Sequence, residues 1–390
     1  MDKKITKICY VGAGTMGSYN ALIAAIAGYS VVLYDQCSKV LSGVDGRQRE
    51  IAGMLAASGK IPAGAIEQAW KRIAISDDLA TALEGAELVS ESVTESLEVK
   101  RAIHRTLEEM AAPGTILTTN TSALLPSDID SALDSGRNFA ALHSYLGSPL
   151  VDIVTGPRTA GAIPEALMAF VRSVGGVPLV MKKEYPGYIL NSLLGPLLTT
   201  AMLLVSRGQA SVEQVDRCWM AYMKAPMGPF GMMDFFGINV VFDSWCTTSL
   251  SEEKKRHQPE IRALLQPLVE SGCTGMKAGK GFYQYPEPAY GLPAFFEQSK
   301  PDSDTFQVLL RSVVQASLLI VAEGAASFDE VNFAWCVGTG LGEAPLELMQ
   351  SDQYGPLRSS ILAGNHAISL LSADQHQSIC AVMSAQAQTA

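Results

Sequence analysis

The sequence predicts an α/β fold, in which a doubly wound, mainly parallel sheet is followed by an all-α domain. From Ile5 to about Lys182, short apolar runs alternate with helical stretches, a pattern typical of parallel sheets covered by helices. Beyond Glu184 the strand pattern stops and apolar helices follow one another. The 390 residues exceed one ordinary core, which also favours several domains.

Seven apolar runs are the candidate strands. Each is short, rich in residues that favour strands, and separated from the next by polar or glycine-containing segments. The runs are Lys7–Val11, Val31–Tyr34, Glu87–Ser90, Thr115–Thr118, Phe139–His143, Asp152–Thr155 and Pro178–Met181.

The first strand leads into a glycine-rich turn that opens a helix. Gly12, Gly14 and Gly17 follow the apolar run that ends at Val11. In a Rossmann-like fold the first glycine allows the tight turn, and the second lets backbone approach a pyrophosphate. The third lets helix and strand pack closely. The strand, turn and helix together therefore predict dinucleotide binding.

Residues around the turn complete this pattern. Thr15 and Met16 stand at the helix amino terminus, whose free N–H groups can bind phosphates. The next strand ends in Asp35, where a carboxylate can accept hydrogen bonds from both ribose hydroxyls. Asp35 favours NAD over NADP as the cofactor because it would repel a 2′-phosphate, although Lys39 lies nearby.

Composition argues against several classes of function. The net charge of −10 disfavours nucleic-acid binding. The apolar stretch from Ile189 to Val205 contains Asn191, Gly195 and Pro196, so we interpret it as a buried helix and expect no membrane span. The seven cysteines form no CxxC pair and the five histidines lack ligand spacing, so we expect reduced thiols, no metal and a cytoplasmic location.

An internal repeat extends the helical region. Residues 201–230 recur without gaps 116 positions later, so that Trp219 matches Trp335. At the same offset, Gln307 stands where the first copy has Asn191. We therefore predict a Rossmann domain over 1–183, a helical substrate and dimerisation domain over 184–295, and a structural half-repeat over 300–390. Other matched pairs are Ser211 with Ser327, Val215 with Val331, and Pro229 with Pro345.

Five further motifs lie along the chain in a fixed order. They are Glu91–Lys100 (E-x-x-x-E-x-L-x-V-K), Thr119–Ser122 (close to S-N-T-S), Gly187–Asn191 (close to G-F-x-x-N), Pro226–Phe230 (P-M-G-P-F) and Gly279–Tyr283 (G-K-G-F-Y). In order and spacing, the chain resembles the L-3-hydroxyacyl-CoA dehydrogenase family over nearly its whole length. The resemblance implies an NAD-dependent oxidoreductase that interconverts a secondary alcohol and a ketone β to an acidic or thioester group.

The resemblance also implies roles for single residues. His143, at the end of a predicted strand, would be the general acid–base. Ser122 and Asn191 would hold the reacting oxygen or the neighbouring carbonyl; without the resemblance, both would be interpreted as helix caps. The cofactor contacts that it implies are Glu95, Lys100 and Asn120, of which the first two would otherwise be interpreted as a solvated helical pair.

The segment after His143 departs from the family pattern. The family has H-F-x-N-P and a glutamate twelve residues after the histidine, whereas this chain has Leu146 at the asparagine position and Thr155 at the glutamate position. Asp152 precedes Thr155 by three residues on a predicted strand, so we expect it to face the other side of the sheet. Loss of a carboxylate partner would make the imidazolium less stable.

Three interpretations of this departure stay open. The enzyme uses a rewired relay that involves Ser122, Tyr145, water or a substrate carboxylate; or the substrate supplies the missing anion; or the chain is a catalytically silent nucleotide-binding or assembly protein.

Between Val40 and Lys60 the only basic residues are Arg47, Arg49 and Lys60 itself, few for a coenzyme A phosphate. A small β-keto acid or keto-phosphonate therefore stands beside a CoA thioester as the anionic substrate.

The oligomeric state also stays open. In the family, the helical domains of two chains meet across a homodimer interface, and some bacterial members carry a second, truncated helical domain. The tandem copy in this chain could fill the partner's place, so both a homodimer and a pseudo-dimer within one chain are possible.

Overall fold

The structure is a computed structural model that describes residues 5–57, 59, 61, 63–246, 250–351, 354–364 and 366–389. Lys60 lies outside the described residues. The chain divides into two compact units. The first is Met1–Tyr188 with Val337–Gly340, and the second is Ile189–Cys336 with Leu341–Ala390. The three-part division expected from the sequence stays a prediction.

In the described part of the first unit, eight strands form one sheet in the order β3-β2-β1-β4-β5-β6-β7-β8. All neighbouring pairs are parallel except β6 and β7. The predicted doubly wound, mainly parallel sheet is therefore confirmed. The strands are β1 (Lys7–Val11), β2 (Ser30–Tyr34), β3 (Ile73–Ser76), β4 (Leu88–Glu91), β5 (Ile116–Thr119), β6 (Phe139–Ser144), β7 (Leu150–Thr155) and β8 (Val177–Val180).

Helices cover both faces of this sheet. Ile8 and Tyr10 of β1 enter one buried cluster while Cys9 and Val11 enter another, so the strand is buried on both faces. Burial on two faces explains why the strand is continuously apolar. The helices are α1 (Thr15–Ile26), α2 (Ser38–Ser42), α3 (Val44–Ala57), α4 (Ala63–Trp70), α5 (Leu79–Leu83), α6 (Leu97–Met110), α7 (Pro126–Asp130) and α8 (Ala162–Ser173).

The sequence missed one strand of the sheet. β3 has four residues, lies at the sheet edge, and has no fully buried residue. A strand this short and partly exposed has no clear alternation of apolar and polar residues, so the sequence pattern does not reveal it.

The second unit is helical, as predicted. The helical stretch after Gly228 is interrupted at Gly237, which has a φ of 101°. The helices are α9 (Tyr188–Ser206), α10 (Val212–Met223), α11 (Pro229–Phe236), α12 (Ile238–Ser244), α13 (Glu252–Glu270), α14 (Ala294–Glu297), α15 (Ser303–Ala322), α16 (Phe328–Thr339), α17 (Pro345–Gln350), α18 (Gly355–Ala363) and α19 (Ala373–Thr389).

Two of these helices, α9 and α15, are long and apolar enough to cross a membrane by length and composition. In each, however, most of the apolar window is buried inside the protein, 61% in α9 and 67% in α15. Core helices pass the same test, so it is weak evidence for a membrane span. The prediction of a buried helix over this part of α9 agrees with that burial.

The helical repeat is visible in the structure. α10 and α16 are both 12 residues long, and their first residues have the predicted separation, as do those of α11 and α17. Trp219 and Trp335, the matched tryptophans, are fully buried and pack edge to face with ring centroids 6.1 Å apart. A residue that meets its own copy lies close to the axis of an isologous pair.

Two buried aspartates account for two of the five motifs. Asp216 accepts hydrogen bonds from the N–H groups of Phe230 and Gly231, at 2.8 and 2.9 Å. Asp234 accepts from the N–H groups of Phe282 and Tyr283, both at 2.9 Å. The backbone N–H groups at the ends of the P-M-G-P-F and G-K-G-F-Y segments therefore donate hydrogen bonds to these two carboxylates. In the second copy Asn332 stands where the first has Asp216, and its Oδ1 is buried without a hydrogen-bond partner.

Removing the Asp216 carboxylate should destabilise the protein. Asp216→Ala leaves the buried N–H groups of Phe230 and Gly231 unpaired, so we expect a loss of about 3 kcal/mol in the free energy of unfolding. Urea denaturation followed by tryptophan fluorescence measures it. Glu213→Ala, an exposed change on the same helix, should alter it by less than about 0.5 kcal/mol. Equal effects of the two changes would contradict the assignment.

The same carboxyl group should make stability depend on pH. Burial raises the pKa of Asp216 to about 7, against three hydrogen bonds that lower it. A raised pKa means that the folded state holds the proton more tightly, so this contribution is complete below about pH 4 and is lost as the pH rises to about 7. The stability of the wild type relative to Asp216→Asn should therefore fall by roughly 2–4 kcal/mol over that range. Parallel pH profiles of the two proteins in urea denaturation would refute this.

Candidate active site

The glycine turn after β1 needs glycine at two positions and leaves space at the third. Gly12 has a φ of 98°, and a Cβ there would lie 2.7 Å from the Ser92 carbonyl oxygen. A Cβ on Gly17 would lie 1.8 Å from the Gly12 carbonyl oxygen. A Cβ on Gly14 would meet no atom within 4 Å, and α1 begins directly after it at Thr15, followed by Met16. The turn thus combines close helix packing with an open helix amino terminus.

Asp35 lies directly after β2, beside this turn. Its Oδ2 accepts a hydrogen bond from the Ala13 N–H and its Oδ1 from the Cys37 N–H, both at 2.9 Å. Each carboxylate oxygen has a further lone pair, so ribose hydroxyls could still donate to it. The open turn and this carboxylate fit the phosphate and ribose groups of NAD.

The basic residues expected near a coenzyme A phosphate have local partners. Arg47 donates to the Val40 carbonyl oxygen, and Arg49 forms an exposed ion pair with Asp45 at 2.9 Å. Exposed pairs of this kind are weak, so Arg49 is held only loosely.

A buried ion cluster lies under the α6 amino terminus. The Glu91 carboxylate receives Lys100 Nζ at 2.7 Å, His104 Nε2 at 3.2 Å and Thr119 Oγ1 at 2.7 Å. Burial opposes ionisation of Glu91, but hydrogen bonding to His104 and the charge of Lys100 outweigh it and lower its pKa to about 2. Lys100 is fully buried and is therefore not half of a solvated pair.

Glu95 connects this cluster to the loop that carries Ser122. Its carboxylate lies 3.4 Å from Lys100 Nζ. Its Oε1 accepts hydrogen bonds from the Thr121 hydroxyl, the Ser122 N–H and the Ala123 N–H. Glu95 and Lys100 thus hold the Ser122 loop in place, whereas their contact with a cofactor stays a prediction.

His143 lies between a carboxylate and a hydroxyl. Its Nδ1 is 3.2 Å from Asp152 Oδ2 and its Nε2 is 3.2 Å from Ser122 Oγ. The imidazole is 3% exposed and Asp152 is fully buried, while Ser122 is exposed, so the ring is approached from the Nε2 side. This line of three groups can take up or release a proton at Nε2.

Asp152 faces the opposite side of the sheet from Thr155, as expected, but His143 lies on the Asp152 side. β6 and β7 pair antiparallel with His143 opposite Asp152, and Thr155 opposite Ala140. Directly opposed residues of such a pair point to the same face, so Thr155 points to the other one. The carboxylate that faces the histidine follows it by nine residues, whereas the family spacing of twelve leads to Thr155.

Two tyrosines complete the surroundings of His143. The Tyr145 hydroxyl donates to Asp152 Oδ2 at 2.6 Å, and its ring packs edge to face on the imidazole. The Tyr188 ring centroid lies 4.9 Å from that of His143. The sequence did not identify Asp152 and Tyr188 as site residues. A carboxylate in the strand that follows the His143 strand was the available signal for Asp152.

Asn120 and Asn191 lie in different surroundings. Asn120 is buried, and its Oδ1 accepts hydrogen bonds from the Ser144 N–H at 2.9 Å and the Ser144 hydroxyl at 3.1 Å. Asn191 lies in the first turn of α9 and belongs to the second unit. Their predicted roles stay predictions. Within the described ranges, no cluster of three His, Cys, Asp or Glu side chains could hold a metal ion.

Comparison with known proteins places both units. Residues 7–185 match the NAD-binding domain of 3-hydroxyacyl-CoA dehydrogenase, and residues 187–285 match the C-terminal domain of the same family. The chain belongs to the 3-hydroxyacyl-CoA dehydrogenase family. It is accordingly an NAD-dependent oxidoreductase acting on a CH–OH group.

Individual relatives agree with this placement. The human mitochondrial hydroxyacyl-coenzyme A dehydrogenase is 34% identical over 293 residues, 72% of this chain and 91% of that protein. The structure of a diketoreductase that acts on dicarbonyl compounds is 35% identical and has a TM-score of 0.64, over 73% of this chain and all of that one. The 3-hydroxybutyryl-CoA dehydrogenase of Escherichia coli K12, 21% identical, shares the fold over 97% of this chain and 99% of its own, with a TM-score of 0.74.

The ribose assignment of Asp35 can be tested by binding. Asp35→Ala should weaken NADH at least tenfold, because two ribose hydroxyls lose their acceptor, and should weaken NADPH much less. Fluorescence titration of both cofactors measures the effect. Lys39→Ala, an exposed neighbour, is the control and should leave NADH binding unchanged. Equal losses for NADH and NADPH would rule out the assignment.

Proposed function

We propose that His143 is the general acid–base of this enzyme and that Asp152 is its carboxylate partner. The observation that carries the proposal is the line from Ser122 through His143 to Asp152, with 3.2 Å at each step. During alcohol oxidation, His143 Nε2 would take the hydroxyl proton while Ser122 holds the same oxygen. In the reverse direction, the imidazolium would return the proton to the forming alcohol. Bound NAD supplies the hydride acceptor for this reaction.

Asp152 is suited to stabilise the charged form of His143. Its carboxylate is fully buried and its Oδ1 has no hydrogen-bond partner, so the ionised carboxylate is costly to bury. A positive charge on the His143 ring offsets part of this cost. The Nδ1–H of an imidazolium donates to Oδ2 and fixes the tautomer that leaves Nε2 available. These contacts support the rewired relay over a substrate that supplies the missing anion. They equally favour an active enzyme over a silent binding protein.

The substrate that we propose is a β-keto or 3-hydroxy compound with a second oxygen function. The relatives named as hydroxyacyl-CoA dehydrogenases favour a thioester. The diketoreductase, equally similar, acts on dicarbonyl compounds and favours a smaller substrate. The hydrogen bond of Arg47 to the Val40 carbonyl oxygen supports the smaller class, since it leaves fewer basic groups for a coenzyme A phosphate. Turnover of acetoacetyl-CoA against acetylacetone, acetoacetate and a β-ketophosphonate, followed by NADH absorbance, separates the alternatives.

The Asp152 assignment predicts a large kinetic effect. Asp152→Asn keeps an acceptor for the Tyr145 hydroxyl but removes the charge, so kcat should fall about 10²–10⁴-fold and its pH profile should shift. Thr155→Val changes the residue at the family's glutamate spacing and should leave both unchanged, since Thr155 points away from His143. NADH binding should be unaltered in both variants. A fully active Asp152→Asn enzyme would show that Asp152 is not the partner.

We also propose that the second helical copy takes the place of a partner chain. The packing of Trp219 on Trp335 supports an internal pseudo-dimer. Light scattering should then give the mass of one chain, 41.5 kDa. A mass of twice this value would contradict the proposal. A cytoplasmic location is likewise proposed, and cell fractionation of the producing organism tests it.

A further inference from the structure

Tyr188 adds a hydroxyl group next to the proposed acid–base. The family motif that it belongs to, G-F-x-x-N, has phenylalanine at this position. The Tyr188 ring is tilted by 43° to the His143 ring, with the centroids 4.9 Å apart. A phenylalanine would make the same ring contact, so the hydroxyl is the feature that distinguishes this chain.

The Tyr188 hydroxyl is buried and has no hydrogen-bond partner. Its side chain is 1% exposed, and Oη is among the buried polar atoms that lack one. Buried tyrosine hydroxyls normally find a partner, because an unpaired one loses its hydration without compensation. Tyr188 also has a φ of 50°, a left-handed conformation that is strained for an aromatic residue. An unpaired donor and a strained backbone at one residue beside His143 point to a group kept for a ligand.

The electrostatic surroundings define which ligand atom suits this hydroxyl. Burial raises its pKa well above the usual range, and the carboxylates of Asp152, Glu95, Glu184 and Glu91 raise it further. Tyr188 therefore remains a neutral O–H donor and does not compete with His143 as an acid. The same four carboxylates would repel an anionic acceptor, so a carbonyl oxygen suits the position better than a carboxylate oxygen.

We infer that the Tyr188 hydroxyl donates a hydrogen bond to a neutral second oxygen of the substrate, a ketone, ester or thioester carbonyl. Tyr188 is then a specificity-determining residue that selects β-dicarbonyl compounds over simple ketones and over free β-keto acids. The inference rests on the proposed function, because the reacting carbon must lie beside His143 for this oxygen to reach Tyr188.

Kinetics of Tyr188→Phe with NADH test the inference on four ketones. Acetylacetone and acetoacetyl-CoA carry a neutral second carbonyl, acetoacetate a carboxylate, and 2-pentanone no second oxygen. A site built to hydrogen-bond a substrate group loses rate when the donor is removed. We expect kcat/KM of the variant to fall about 10–100-fold for the first two and less than about twofold for 2-pentanone. The wild type should use acetylacetone better than acetoacetate.

A matched control separates this effect from general damage. Tyr29→Phe removes another tyrosine hydroxyl, which is hydrogen-bonded to Ser173. Tyr29 directly precedes the first residue of β2, whereas His143 lies near the carboxyl end of β6. Tyr29→Phe should leave all four kcat/KM values unchanged. If Tyr188→Phe lowers them equally for 2-pentanone and acetylacetone, or lowers none, the hydroxyl does not recognise a second oxygen. A wild type that prefers acetoacetate would overturn the requirement for a neutral acceptor.

Binding in a complex that cannot react distinguishes this inference from the proposed function. With NAD⁺ and acetylacetone no hydride can be transferred, so calorimetry gives the ketone Kd alone. Tyr188→Phe should raise this Kd about 10–100-fold without changing the Kd of NAD⁺. Absence of turnover in the wild type with every ketone, although NADH binds, would refute the proposed function. An unchanged acetylacetone Kd in the variant would refute the role of Tyr188.

Discussion

The site depends on one strand pairing, the antiparallel contact between β6 and β7. All other neighbouring pairs among the described strands of the sheet are parallel, and in these, residues of consecutive strands come from distant parts of the sequence. Because β7 pairs antiparallel with β6 after a short connection, His143 and Asp152 become direct neighbours. Cross-strand neighbours on one face are close enough for a side-chain hydrogen bond. The register of this pair therefore determines whether the imidazole has a carboxylate partner.

A chain of charges, buried at Glu91 and Lys100, supports the other side of the imidazole. Glu91 lies at the end of β4 and holds Lys100, whose ammonium group lies close to Glu95, and Glu95 binds the backbone of the Ser122 loop. A buried ammonium group without carboxylates would be costly, so Lys100 and Glu91 each require the other. The Ser122 hydroxyl is thus positioned from the sheet rather than by the loop itself.

Fold and site differ in how far the sequence could predict them. Strand–helix alternation and the glycine turn are local patterns, and they predicted the sheet, whereas the short edge strand β3 lacked such a pattern. The partner of His143 depends on the register of β6 and β7, which a count of residues along the chain does not determine. Counting twelve residues leads to Thr155, whereas the pairing places Asp152 opposite His143. The buried state of Lys100 was equally invisible, because its partner Glu91 precedes the helix that carries it.

The departures from the family pattern meet in one place. Asp152 supplies a carboxylate nine residues after His143 rather than twelve, and Tyr188 stands where the family motif has phenylalanine. Both lie beside His143, and the Tyr145 hydroxyl donates to Asp152. In a chain that had lost its chemistry, substitutions would accumulate without regard to one another, and a buried carboxylate would be among the first groups to disappear because it is costly to keep. Here Asp152 contacts both the imidazole and the Tyr145 hydroxyl. Such mutual compensation is the result expected when an acid–base site is adapted to a different substrate rather than abandoned.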